Sequence, residues 1–410
     1  MRKSEIDDLV RGIGLQPVVQ QKPKAHKTTG NQSHDDKQQT QNKDTNHASV
    51  TINYEAKPSI SLQQQLDYSR NGHTVLRSFF SRETIAQLKS EIVPYAKSQA
   101  LVAWKQKVEV QLADSNDEYY RHNSQSIANS LENIEACQDM LESLGIGNTD
   151  LPFLQFFNTW RAKDSNTPTV RQLCLSPYLA HAASILMDAP TVRLYQDSLF
   201  HKRARDGWTP WHSDSRMAPF DSSKMITFWI PLQKVPTPEN GGTGLLFVNC
   251  SHSDVRSVAY HFMSFFGLEY LPVLTFVMYP YSIVFNQFAL PYWNGPEGKE
   301  YERLEERYGS GSIAHHMPIA IGDLTVHNGW TLHKADGADF MEEGEDRYAF
   351  SVTFVDGNAE VREDALLESN QKELKTKGDM EDVWSYRSWV KEVEPRTHFR
   401  HALVPIVWPL

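Results

Sequence analysis

The segment TPWHSDSR places His212 and Asp214 two residues apart. In an extended strand alternate side chains share a face, so the imidazole and the carboxylate would project together about 7 Å apart at the backbone. Such a pair supplies two corners of a 2-His-1-carboxylate facial triad, which leaves metal positions open for a bidentate co-substrate and O2. Alone the triplet is weak evidence, because a turn histidine beside an N-capping aspartate has the same spelling. A distal segment, IGDLTVHNGWTLHKADGAD, adds His327 and His333, and Arg347 follows fourteen residues after the second of these. Arg347 opens the alternating run RYAFSVTFVD, which would set it on one face with Ala349, Ser351 and Thr353. A guanidinium there can hold a carboxylate in bidentate fashion. The competing reading pairs Arg347 at the surface with Glu345 or Asp346.

These residues need elements to position them. SISLQQQLDYSRNGHTVLRSFFS predicts a short helix, a turn at Asn71-Gly72 and a strand through Val75 and Leu76. Ser81 reads as an N-cap, with Ile85, Leu88 and Ile92 at helical spacing behind it, and a second amphipathic helix is predicted from Asn123 to Leu144. From Thr191 the texture changes to short β-rich runs: VRLYQDSLFHK, MITFWIPLQKV, TGLLFVN, IGDLTVH and RYAFSVTFVD. Strands at this density suggest a jelly-roll or barrel. The adjacent His315 and His316 read as loop residues, and His252, in the turn NCSHSD, as hydrogen-bonded to backbone.

Composition removes other classes. A formal charge of −10 and no basic stripe argue against nucleic acid. Three widely spaced cysteines, Cys137, Cys174 and Cys250, suggest neither a disulfide framework nor a zinc ribbon. The acidic first ten residues lack an apolar core, and VWPL is no peroxisomal address, so a reducing, cytoplasmic setting is expected. The apolar stretch from His261 to Trp293 is broken by Glu269, Pro272, Pro280, Asn286 and Gln287, too often for a span of about 20 residues. Residues from about Gln20 to Ser49 hold no aromatic residue, leucine or isoleucine and cannot offset the entropy of ordering. The division expected is a disordered tail 1–57 and one domain 58–410, comprising helical support 58–190, a core 191–357 with an insertion 255–315, and a C-terminal helical tail 358–410. The insertion reads as a cover to the barrel mouth or as an extra packing layer.

Taken together, NGHTVLRSFFSRETIAQL, YQDSLFHKRARDGWTPWHSD, ITFWIPLQKVPTPENGGTGLLFVNCSHS and GDLTVHNGWTLHKADG, with Arg347 after them, resemble the phytanoyl-CoA dioxygenase family of Fe(II)/2-oxoglutarate oxygenases, from about Gly72 to Asp356. The resemblance implies a mainly β fold with flanking helices around a double-stranded β-helix, a cupin-like jelly-roll. It implies that His212, Asp214 and His333 are the iron ligands, that Arg347 binds the C5 carboxylate of 2-oxoglutarate, and that Lys202 and Trp229 lie near the co-substrate. It puts the ligand at His333 and leaves His327 to packing or to support of the ligands. Where the family often carries a small hydroxyl residue, two positions after the metal histidine, this chain has Ala335. The stretch between Asp214 and His333 is also longer than usual.

The function so implied is oxidation of a small organic molecule, apolar or acyl, by Fe(II), 2-oxoglutarate and O2, with ascorbate as reductant, most simply hydroxylation with release of succinate and CO2. Asp214 fills the position that a halogenase leaves for chloride. The rivals are a catalytically silent jelly-roll acting as a scaffold, and a zinc hydrolase, which would give no reason for Arg347.

Overall fold

Capping chemistry starts the first elements where the sequence places them. Ser61 heads helix α1 (Leu62–Asn71) with a capping box, its Oγ accepting from Gln64 N–H at 3.2 Å while the Gln64 side chain accepts from Ser61 N–H at 2.8 Å. Gly72 ends α1 at φ +84°, and a side chain there would collide with Thr331 and His252. Strand β1 (His73–Leu76) follows, then α2 (Arg82–Ala113), capped by Ser81 and running through Pro94 well beyond the predicted turns. The computed structural model describes residues 58–147, 153–162, 167–254, 300–337, 344–363 and 386–409, together with Met341 and Ala365. The tail 1–57 and most of the stretch 255–315 fall outside these residues.

The helix predicted from Asn123 to Leu144 is two helices, α3 (Glu118–Ser130) and α4 (Ile134–Ser143). Leu131 is extended and Asn133 caps the second helix by accepting from Ala136 N–H at 2.8 Å, a local bond that competes with helix continuation. After β2 (Leu154–Phe157), the short α5 (Pro168–Cys174) and α6 (Pro177–Met187) lead into β3 (Val192–Arg203). The remaining elements are α7 (Asp214–Met217), β4 (Phe220–Asp221), β5 (Met225–Pro231), β6 (Leu245–Val248), α8 (Glu300–Tyr308), β7 (Ile313–His315), β8 (Leu324–Asn328), β9 (His333–Ala335), β10 (Asp346–Asp356), β11 (Glu360–Val361), α9 (Arg387–Val390) and β12 (Ile406–Trp408).

Every described strand pair is antiparallel. The large sheet runs β1-β8-β5-β10-β3-β12, with β2 also on β3, and the small sheet runs β7-β6-β9. All seven residues of β5 are buried, as a run apolar at every position but Thr227 requires of a strand covered on both faces. Helix α6 lies against β3, β5, β10 and β12, and α2 against β2 and β3, so the helices cover one face of the large sheet. The other face and the small sheet line one cavity between them, which is the double-stranded β-helix. In the described residues no helix is long and apolar enough to cross a membrane, and all three cysteines are free.

Three boundaries change. The region 58–190 is not purely helical, because β1 and β2 join the large sheet. The far end of 255–315 is not insertion, because β7 is an edge of the small sheet and His315, expected in a loop, lies on it. The tail 358–410 is not simply helical either, since residues 406–408 pair with Val192 and Arg193 of β3.

Candidate active site

Two neighbouring contacts hold the segments that carry the histidines. Gly72 carbonyl accepts from Asn328 N–H at 2.7 Å and from Thr331 Oγ at 2.8 Å, which fixes the loop between β8 and β9. His333 and His212 then exchange backbone hydrogen bonds at 3.0 and 3.1 Å as an isolated bridge that extends the small sheet. Asp214 is not on a strand. It opens the single turn α7, which is docked by Ser215 N–H on Gly329 carbonyl at 2.8 Å, where a side chain at 329 would strike Ser215 and Met225. His212 and Asp214 therefore converge through a change of conformation between them, not through strand alternation.

One ligand atom from each of His212, Asp214 and His333 lies within 4.8 Å of the others. Asp214 Oδ1 is 3.7 Å from His212 Nε2 and 3.6 Å from His333 Nε2. Each imidazole has its other nitrogen committed to a carbonyl: His212 Nδ1 donates to Pro210 at 2.8 Å and His333 Nδ1 to Thr331 at 3.0 Å. That tautomer leaves both Nε2 lone pairs aimed into the cluster, the arrangement a metal-binding histidine requires. Asp214 Oδ2 faces away and accepts from Thr227 Oγ at 2.7 Å and from His327 Nε2 at 3.1 Å. Burial opposes the Asp214 charge, and the hydrogen bond from His327 Nε2 favours it. His333, shut off from solvent beside His212 and His327, is pushed toward the neutral form. Two imidazole nitrogens and a carboxylate oxygen fit a divalent cation such as Fe(II), and a fifth of the His212 and Asp214 side-chain surfaces remains open to a ligand.

All six residues singled out in the sequence, His212, Asp214, His333, Arg347, Lys202 and Trp229, line the same cavity of about 340 Å³. Arg347 faces Lys202 across the β10–β3 ladder, so two cations share one end. Asp214 is the sole acid among the described lining residues. The guanidinium donates through Nη1 to Gly241 carbonyl at 2.6 Å and to Thr243 Oγ at 3.3 Å, and through Nε to Glu345 at 3.0 Å. Arg347 thus pairs with Glu345 and also lines the cavity. Lys202 Nζ donates to the Asp336 carbonyl and lies 5.7 Å from the Phe153 ring. His252 Nε2 donates to the Ser69 carbonyl at 3.1 Å and His316 bonds His73 at 2.9 Å, and neither residue lines the cavity.

Sequence reasoning missed the supports. Thr243 lies about a hundred residues from Arg347 and Thr227 thirteen from Asp214, and a threonine in a β-rich run carries no local mark of such a task. Residues of β2, Gln155 and Phe157 among them, line the cavity from a region read as helical.

Sequence comparison now decides the affiliation, since the model of the phytanoyl-CoA dioxygenase family matches residues 68–338, well over half of the chain. The chain belongs to the phytanoyl-CoA dioxygenase family. With membership comes the class, a non-haem iron oxygenase that uses 2-oxoglutarate and O2. No curated protein matches the sequence significantly. Among solved structures, the non-heme alpha ketoglutarate dependent carbocyclase SnoK from nogalamycin biosynthesis is 15% identical with a TM-score of 0.46, over 85% of this chain and 96% of its own. The epimerase SnoN of the same biosynthesis is 17% identical with a TM-score of 0.45, over 84% and 97%. EctD from S. alaskensis, solved with 2-oxoglutarate and 5-hydroxyectoine, is 17% identical with a TM-score of 0.42, over 77% and 82%.

Proposed function

We propose that this member of the phytanoyl-CoA dioxygenase family hydroxylates an unactivated C–H bond of a small, neutral, largely apolar molecule, converting 2-oxoglutarate and O2 to succinate and CO2 as it does so. The observation that carries the reading is the convergence of His212, Asp214 and His333 within 4.8 Å at one part of a cavity whose other end holds Arg347 and Lys202.

In this reading the two histidines and the aspartate hold Fe(II), which with 2-oxoglutarate and O2 supplies the oxidising chemistry. His212 and His333 present their Nε2 atoms because their Nδ1 protons are spent on carbonyls. Thr227 and His327 engage Asp214 Oδ2 and so offer Oδ1 alone to the metal. Arg347, with Lys202 opposite, takes the distal carboxylate of the co-substrate, an anion that the apolar walls would otherwise reject. Trp229 closes the wall of the same cavity.

The substrate class follows from the remaining lining. Phe157, Tyr195, Met217 and Ala218 give an apolar surface, and Gln155 and Gln196 add amides without net charge. Tyr195 and Gln196 are consecutive, and both reach the cavity because the β3–β10 register slips at Thr353/Phe354, so that β3 carries one extra residue there. A volume near 340 Å³ suits a ligand at the small end of the usual range, less the room for the co-substrate. Among the described residues that line this side, no basic cluster stands ready to receive an acyl carrier's phosphates.

The test is succinate release by the full chain loaded with Fe(II), given ascorbate, 2-oxoglutarate and a panel of neutral apolar compounds and acyl-CoA esters, with product mass read in parallel. We expect a gain of one oxygen atom, matched to succinate, on a neutral compound, and its loss in Asp214→Ala. A zinc-supported hydrolysis under argon would refute the reading, as would a chain that binds no 2-oxoglutarate.

A further inference from the structure

Strand β3 carries a second buried cation, Arg193, at the end away from Lys202. Arg193 is 3% exposed, and its guanidinium donates to the carbonyls of Gly357 at 2.9 Å, Val404 at 3.2 Å and Phe399 while lying over the Phe399 ring. Two of its five N–H donors are left without an acceptor among the described residues, and no carboxylate there forms an ion pair with it. Carbonyl dipoles satisfy donors, but they leave a buried charge uncompensated. Arg193 lines a pocket that the C-terminal segment forms around this end of β3, with Arg400, Val404, Ile406 and Pro409 beside it. Arg400 is exposed, and its guanidinium makes no hydrogen bond or ion pair among the described residues. The two cations are close enough to disfavour each other: burial, and then the Arg400 charge, hold Arg193 below its ordinary pKa, and Asp356 opposes them only in part. His401, also on the rim, has both nitrogens engaged, Nδ1 accepting from Leu403 N–H at 3.1 Å and Nε2 donating to Glu392 at 3.0 Å.

We infer that this pocket binds the phosphate group of a small molecule, with Arg193 at its floor and Arg400 at its mouth. A phosphate dianion gathers two negative charges on one centre, which matches two guanidiniums around one opening, and their planar forks suit its oxygens. A dicarboxylate divides the same charge between two ends and would bring only one of them to the pair. The site is distinct from the one that holds His212, Asp214 and His333. No described residue lines both, and Arg193 stands nine positions before Lys202, about 30 Å along an extended strand. An anion bound here fastens the segment that carries Phe399 and Val404 onto β3, so the ligand is an effector of this junction and not a substrate.

Calorimetric titration of the metal-free full chain with inorganic phosphate, at an ionic strength held constant with sodium chloride, tests it, with the thermal midpoint read in parallel. We expect one saturable site and a midpoint that rises with phosphate. In Arg400→Gln the dissociation constant should increase about tenfold or more and the phosphate-dependent gain should vanish, while the midpoint without phosphate matches the parent's because the position is exposed. Arg347→Leu, altered in the other cavity, should bind phosphate as the parent does, and in that variant succinate should bind about tenfold more weakly than phosphate. A parent chain that binds no phosphate overturns the site, and so does an Arg400→Gln chain that binds it as tightly as the parent. Loss of binding in Arg347→Leu would put the anion in the active-site cavity instead, and succinate as tight as phosphate would overturn the choice of phosphate.

Discussion

At the scale of single residues, the carboxylate is more constrained than the imidazoles. Asp214 Oδ2 takes two donors, Thr227 Oγ and His327 Nε2, and Thr227 stands 3.1 Å from Thr353 Oγ on the next strand, so a short relay of hydroxyls backs the ligand. Partners of this kind commonly set metal affinity by about 10- to 100-fold. Thr227→Val should therefore raise the Mn(II) dissociation constant of the chain about tenfold, measured by titration of metal-free protein with the bound and free ion counted by EPR; an unchanged constant would mean that His327 holds Asp214 alone. In a double-mutant cycle with His327→Leu the two losses should not add, because both donors act on one oxygen. The cluster of His212, Asp214 and His333 was legible in the sequence because few residue types bind metals and their order was distinctive. Thr227 was not, since a hydroxyl's task is set by what the register places opposite it, and that register depends on strands a hundred residues or more away.

At the scale of elements, β1 is tied to the small sheet by a chain of rings. His73 Nδ1 and His316 Nε2 are 2.9 Å apart, His73 Nε2 donates to Asn249 Oδ1 at 2.8 Å, and the His73 ring stacks on Phe247 with centroids 4.6 Å apart. Burial, more than the Asn249 bond and the neighbouring His327 and His252, sets the His73 pKa at about 4. Burial again, followed by His73, Arg77 and His315, lowers His316 to about 3. Both values lie below the ordinary 6.5, so the unfolded chain binds more protons in the interval. Stability from this pair is complete above pH 6.5 and is lost as the pH falls through about 4. The thermal midpoint should drop as the pH is lowered from 7 to 5, and His316→Gln should flatten that slope; a slope equal to the parent's would place the acid lability elsewhere. Elements were readable where a β-rich run was long enough, as in β3, β5 and β10. They were missed where three or four residues suffice, as in β2, β7 and β12, because so short a run has no period and takes its structure from a long partner such as β3. The split at Asn133 had a local signal, a capping residue in mid-pattern, outweighed in the reading by the apolar spacing on both sides of it.

At the scale of the whole molecule, the site is where the two sheets are held together. His212 and His333 bridge by backbone, Asp214 hangs on Thr227 of the large sheet, and a bound cation would join all three. Metal binding to the native chain alone must then raise global stability, by about 2.7 kcal/mol when the free ion is at a hundredfold excess over its dissociation constant. Mn(II) added to chelator-treated protein should lift the thermal midpoint by several degrees, and Asp214→Ala should show no such gain. A midpoint indifferent to metal in the parent would count against the site. The order of synthesis gives β12 a meaning of its own. Strand β3 carries Lys202 at one end, yet the neighbour of its other end, residues 406–408, is made about two hundred residues later. Buried Arg193 on that strand also donates to the carbonyls of Phe399 and Val404. On the ribosome, then, β3 waits with part of one edge unpaired and a cation short of two of its carbonyl partners, so the nascent chain completes this strand only after residues 406–408, about two hundred positions downstream, have emerged.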